Sequence, residues 1–128
     1  SEDNGRSWSN VTDKNGLASY GFSLVIDDNN DQTAWVIPAQ SDHLRIPHKN
    51  QLAVFKTTDA GKNWIAQRNG LPQNGSFDLV LRSAFDGKSG QLAFGTNNGN
   101  LYYSSNGGKN WEVITQTLSA VRSVSFQG

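Results

Sequence analysis

Along this chain, short runs of branched and aromatic residues alternate with breaks rich in Gly, Asn and Asp. No stretch places apolar residues at i, i+3, i+4 and i+7, the spacing of an amphipathic helix. Branched and aromatic side chains suit a half-buried pleated surface, and Gly, Asn and Asp suit tight turns. The pattern therefore predicts strands joined by hairpins. Residues 76–85 (SFDLVLRSAF) read as a strand, DGKSG as a turn, and 91–96 (QLAFGT) as a second strand. Residues 97–100 (NNGN) then read as a hairpin, 101–105 (LYYSS) as a third strand and 111–116 (WEVITQ) as a fourth. An earlier stretch has the same order: 22–27 (FSLVID), the turn DNND, 33–39 (TAWVIPA), 52–58 (LAVFKTT) and 64–68 (WIAQR). Residues 121–127 (VRSVSFQ) read as the first strand of a further unit.

An eight-residue phrase recurs before the fourth strand of each unit. SEDNGRSW, TTDAGKNW and SSNGGKNW end at Trp8, Trp64 and Trp111, which lie 56 and 47 residues apart. A period of this length, filled by four strands, predicts the blades of a β-propeller. The phrase has local physical logic. An Asp at its third position can accept hydrogen bonds from the backbone of its own turn. Gly5, Gly61 and Gly108 are expected at positive φ, and each Trp is expected to plug its turn against the sheet. Asp3 and Asp59 supply the carboxylate, whereas Asn106 supplies an uncharged amide oxygen in the third copy, which should be the softest turn.

The spacing Ser/Thr-x-Asp-x-Gly-x-x-Trp resembles the Asp-box, or BNR repeat, of sialidases and related propellers. The stretches TAWVIPAQSDHLRIP, LVLRSAF and FGTNNGNLYYSSNGGKNW also resemble sialidase-like or glycosyl-hydrolase-like BNR proteins of bacteria. The resemblance implies C-terminal blades of a longer propeller: an outer strand in 1–16, blades in 17–70 and 71–117, and a first strand of the next in 118–128. Propellers close with four to eight blades. Two blades alone would leave edges that invite association, so a homo-oligomer is expected, a trimer of two-blade units giving six blades.

Composition narrows the function. The 11 basic and 11 acidic residues balance, and neither sign clusters, which argues against nucleic acid or an acidic membrane as partner. No apolar run approaches the ~20 residues of a membrane-spanning helix. There is no cysteine, so disulfides and thiolate metal sites are excluded. Phosphate loops, nucleophile elbows and metal-protease helices are absent, and no cofactor or metal is expected.

In a propeller the repeated turns lie on one face, and ligands usually occupy the other. On that other face, 38–50 (PAQSDHLRIPHKN) is about nine residues longer than the hairpin NNGN of the next blade. It carries Asp42, His43, Arg45 and His48, with both histidines of the chain. A polar binding loop fits these residues better than a metal site, which needs more convergent ligands. Arg82, read as lying on the innermost strand, is a further candidate, able either to grip a carboxylate or to pair with Asp42 or Asp78. Arg122 occupies the corresponding place in the last unit. The catalytic set of sialidases does not transfer. The only glutamates, Glu2 and Glu112, fall in a turn and on an outer strand, away from Tyr102 and Tyr103. The sequence thus predicts a non-catalytic module binding a glycan or protein partner, with a glycoside hydrolase completed by other blades as the alternative.

Overall fold

The computed structural model describes residues 21–38, 51–76 and 78–127. Eight strands follow in chain order: β1 Gly21–Asp27, β2 Asn30–Pro38, β3 Val54–Thr57 and β4 Ile65–Gln67, then β5 Phe85–Lys88, β6 Gln91–Gly95, β7 Leu101–Ser104 and β8 Glu112–Thr115. They form two four-stranded antiparallel sheets in the orders β1-β2-β3-β4 and β5-β6-β7-β8. Among the described residues there is no helix. The chain is all-β, as its pattern predicts.

Period-2 alternation decides what each sheet buries. In the β1–β2 register Val25 pairs with Trp35, and both enter a core that also takes Ile37, Leu92, Phe94, Tyr102 and Trp111. This core fills the space between the two sheets. Phe94 sits at its centre, fully buried. Its ring lies 5.0 Å from Tyr102 in a stacked pair, 5.1 Å from Trp111 and 6.1 Å from Phe85 in edge-on pairs. Val36, which neighbours Trp35 in the strand and so points to the opposite face, packs with Ala53, Phe55, Trp64 and Ala66 in a second cluster.

Polar bonds also tie the sheets together. The Trp35 indole Nε1 donates to the Gly107 carbonyl at 2.9 Å. The Trp111 backbone N–H donates to the Asn69 carbonyl at 2.9 Å. The Ser89 N–H, in the β5–β6 turn, donates to both oxygens of Asp28, in the β1–β2 turn, at 3.2 Å. β1 lies against β5, so the first strands of the two sheets are neighbours. This is the side-by-side placement of successive propeller blades.

Three sequence expectations are corrected. The strand expected over 76–85 begins only at Phe85. Ahead of it the chain turns at Arg82–Ser83, closed by the Ala84 N–H on the Leu81 carbonyl. The expected turn DGKSG shrinks to Ser89–Gly90, because Asp86, Gly87 and Lys88 pair with Ala93, Leu92 and Gln91. Gly87 belongs in the strand for a packing reason: a Cβ there would meet the side chains of Leu92 and Val25, which fill that space from the two sheets. Residues 121–127 form no strand. They run extended along the second sheet, held by the Val124 N–H on Ser83 O and the Phe126 N–H on the Asp86 carboxylate.

Candidate functional site

The two described copies of the repeated phrase form the β3–β4 and β7–β8 turns. In the first, the Thr57 hydroxyl donates to Asp59 Oδ1 at 2.8 Å and accepts the Gly61 N–H at 2.9 Å. Asp59 also accepts the Asn63 N–H at 2.8 Å and the Asn63 side-chain amide at 2.7 Å. These donors, led by the Asn63 side chain and backbone, lower the Asp59 carboxyl to about 2. In the second, Ser104 donates to Asn106 Oδ1 at 3.0 Å and accepts the Gly108 N–H at 2.9 Å, and the Asn110 N–H donates to Asn106 Oδ1 at 3.0 Å. The bond from a side-chain amide four residues on is present only in the first turn. Gly61 and Gly108 both have φ 87°. Trp111 is buried in the main core, and Trp64 is half-buried against the second cluster. The Asp59 and Asn106 acceptors are used within their own turns, and Gly107 O and the Trp111 N–H bond across to the first sheet, so the turns stabilise the hairpins.

The opposite end of the second sheet is different. There a cleft of about 250 Å³ lies between residues 72–76 with Asp78, the β6–β7 hairpin and the end of β8. Its charged group is Asp78, 6 % exposed. Ser76, itself buried, donates its hydroxyl to Asp78 Oδ2 at 3.3 Å. The side-chain amides of Asn98 and Asn100 donate to Asp78 Oδ1 at 3.0 and 3.1 Å. A buried carboxylate is tolerated when donors of this kind replace its water.

The hairpin that delivers these amides is rigid. Thr96 Oγ1 accepts the N–H groups of Asn98 and Asn100 at 3.3 and 3.2 Å. The Thr96 N–H donates to Asn100 O at 2.9 Å, and the Gly99 N–H donates to Thr96 O at 3.1 Å. Gly99 has φ 85°, and a Cβ there would strike the Leu118 backbone. On the other side, Asn97 exchanges bonds with Leu79: N–H to O at 2.9 Å, and the Leu79 N–H to Asn97 Oδ1 at 2.8 Å. The hairpin is thus clamped between the chain entering β5 and the chain leaving β8.

Tyr102, on β7, completes the cleft. Its ring is held by the stack on Phe94, and only 2 % of the residue is exposed. Burial, reinforced by the Asp78 charge, pushes the hydroxyl up to about 12, so it keeps its proton. That hydroxyl makes no hydrogen bond among the described residues. Asn74, Gly75, Pro72 and Gln116 line the rim.

The expected site residues fall differently. Asp42, His43, Arg45 and His48 lie outside the described residues, as do Asp3, Gly5 and Trp8. Arg82 is not on an innermost strand. It is exposed at the 81–84 turn and makes neither a hydrogen bond nor an ion pair among the described residues. The partners of Asp78 are therefore Ser76 and two asparagines, rather than Arg82. Arg122 is exposed on the terminal extended segment. Sequence reasoning treated Asn98 and Asn100 as hairpin formers only. The available signal was the pair of amides flanking Gly99 on the face away from the repeated turns.

No protein-family model matches the chain, and a comparison with curated proteins found no relative. Among solved structures, the chain is similar to a GH74 enzyme of Niastella koreensis, with a TM-score of 0.56 and 18% identity over 85% of this chain. The chain spans 16% of that enzyme's length. The likeness is one of fold, and it places these two sheets among β-propeller architectures.

Proposed function

We propose that this chain is a propeller segment of Asp-box type that binds a glycan, without turnover, on the face opposite its repeated turns. The observation that carries the reading is the Asp78 cleft. A buried carboxylate, side-chain amides and a protonated tyrosine converge in a concave site on a clamped scaffold. A small number of fixed polar groups in a pocket is what orients a small ligand. Sugar hydroxyls both donate and accept, and the cleft offers both functions side by side. Hydrolysis by the common two-carboxylate route needs a second acid or base facing the first, and among the described residues Asp78 is the one carboxylate lining the cleft.

The test is a glycan array followed by calorimetry on the array's hits. Saturable binding to the wild type, weakened about tenfold or more by Asp78→Ala, supports the reading. No binding anywhere on the array, or hits unaffected by that substitution in a folded variant, removes it. A second reading, glycoside hydrolysis with a site completed by further blades, draws support from the GH74 enzyme that shares the fold. Turnover of a fluorogenic glycoside panel favours it over the first. Both readings place further blades beside these two, supplied by copies of the chain related by rotation or by further blades of a longer chain. A monodisperse species of 14.0 kDa at high concentration would remove the self-associated ring.

A further inference from the structure

Resting on the glycan reading, we propose that the Asp78 cleft selects neutral sugars and rejects those that carry a carboxylate. Among the described residues, the lining side chains other than Asp78 are uncharged: Asn74, Asn98, Asn100, Tyr102 and Gln116 are the polar ones beside the buried Ser76. The described lining therefore carries one negative charge. Arg82 and Arg122, among the described cations, are exposed and do not line it.

The hydrogen-bonding arithmetic points the same way. A carboxylate has about four acceptor positions. Asp78 accepts four contacts, from the Ser76 hydroxyl, from the Asn98 amide and, on both its oxygens, from the Asn100 amide. The longest, from Asn100 to Oδ2 at 3.4 Å, is the one that a ligand O–H would replace. The Tyr102 hydroxyl, nearly buried and without a protein partner among the described residues, supplies the matching donor. A sugar hydroxyl can donate to Asp78 while a neighbouring one accepts from Tyr102. An ionised ligand carboxylate is acceptor-only, so it can use Tyr102 but leaves Asp78 facing a like charge. Because Asp78 is buried, salt screens that repulsion poorly. Burial and the Asp78 charge also keep Tyr102 protonated, with its hydroxyl pushed up to about 12, so the donor persists at ordinary pH.

The experiment compares neutral tetramers of glucose, galactose and mannose with the corresponding C6-carboxylate tetramers, by calorimetry on the full chain. At least one neutral tetramer is expected to bind, and its carboxylated counterpart to bind at least about tenfold more weakly, the scale of one unfavourable charge contact near a surface. Asp78→Asn keeps the shape and an acceptor oxygen but removes the charge, so it should shrink that ratio toward one. Tyr102→Phe keeps the ring on Phe94 and should weaken the neutral tetramer several-fold. Arg82→Ala should leave both affinities unchanged. Thermal melts confirm that each variant is folded. Carboxylated tetramers binding as well as neutral ones, or a ratio untouched by Asp78→Asn, would overturn the selectivity while leaving glycan binding intact. Failure of every tetramer to bind would overturn both.

Discussion

Asp59 and Asn106 occupy the same place in two copies of one turn, and they differ by one charge. Asp59 collects the Thr57 hydroxyl, the Asn63 N–H and the Asn63 amide. Asn106 collects the Ser104 hydroxyl and the Asn110 N–H, both on Oδ1. Its second side-chain atom is itself a donor, so an amide at residue 110 has nothing to bond there. The Asp59 carboxyl is lowered from 3.8 to about 2 by its donors. A group whose pKa is depressed on folding adds stability above its unfolded pKa and loses it as pH falls through the folded value. The Asp59 contribution is thus full at pH 7, declines below about pH 4 and is gone near pH 2. Asp59→Asn is expected to lower the melting temperature at pH 7 and to leave it unchanged near pH 2. Asn106→Asp should do the reverse, raising the melting temperature at pH 7 with the gain vanishing in acid. Thermal melts across pH 2–7 check both, and an Asn106→Asp variant that melts no higher at pH 7 would show that the charge is immaterial to the turn.

Elements show why some of the fold could be read from sequence and some could not. β6 and β7 were legible because Phe94 and Tyr102 sit in runs of residues that favour strands and are bounded by Asn-Gly turns. β5 was not, because Asp86-Gly87-Lys88 has the composition of a turn. What makes it a strand is room for Val25 and Leu92 over Gly87, a fact that belongs to the other sheet as much as to its own. The cleft was hidden for a related reason. Asp78 meets Asn98 and Asn100 only after the hairpin folds back across about 20 residues. Links between elements carry similar information. Gly70 has φ +89°, and a Cβ there would collide with the Trp111 carbonyl, whereas Gly75, at φ +63°, has open space around it. Gly75→Ala should therefore cost about 1–2 kcal/mol from the left-handed backbone alone. Gly70→Ala adds a backbone clash between the sheets and should cost about 3 kcal/mol or more. Urea midpoints of the two variants measure the difference, and equal losses would mean that the 69–70 link yields without disturbing Trp111.

At the scale of the whole molecule, the decisive feature is that neither sheet keeps a core of its own on the shared side. Val25, Trp35 and Ile37 complete their burial only against Leu92, Phe94 and Trp111. The bonds from Trp35 to Gly107, from Trp111 to Asn69 and from Ser89 to Asp28 cross the same boundary. Two sheets joined in this way should lose their structure together. Phe94→Ala removes the ring that touches Phe85, Tyr102 and Trp111, and a buried Phe truncated to Ala costs about 3–5 kcal/mol. That is a large part of the roughly 5–15 kcal/mol that holds a domain folded. The substitution lies in β6, yet its effect should reach β2. Hydrogen exchange should show the amides of Trp35–Ile37 and of Leu92–Phe94 losing protection in parallel, because opening either sheet exposes the core of both. If β2 keeps its protection while β6 loses it, the sheets are separate folding units, and the cleft on the second sheet would then depend on that sheet alone.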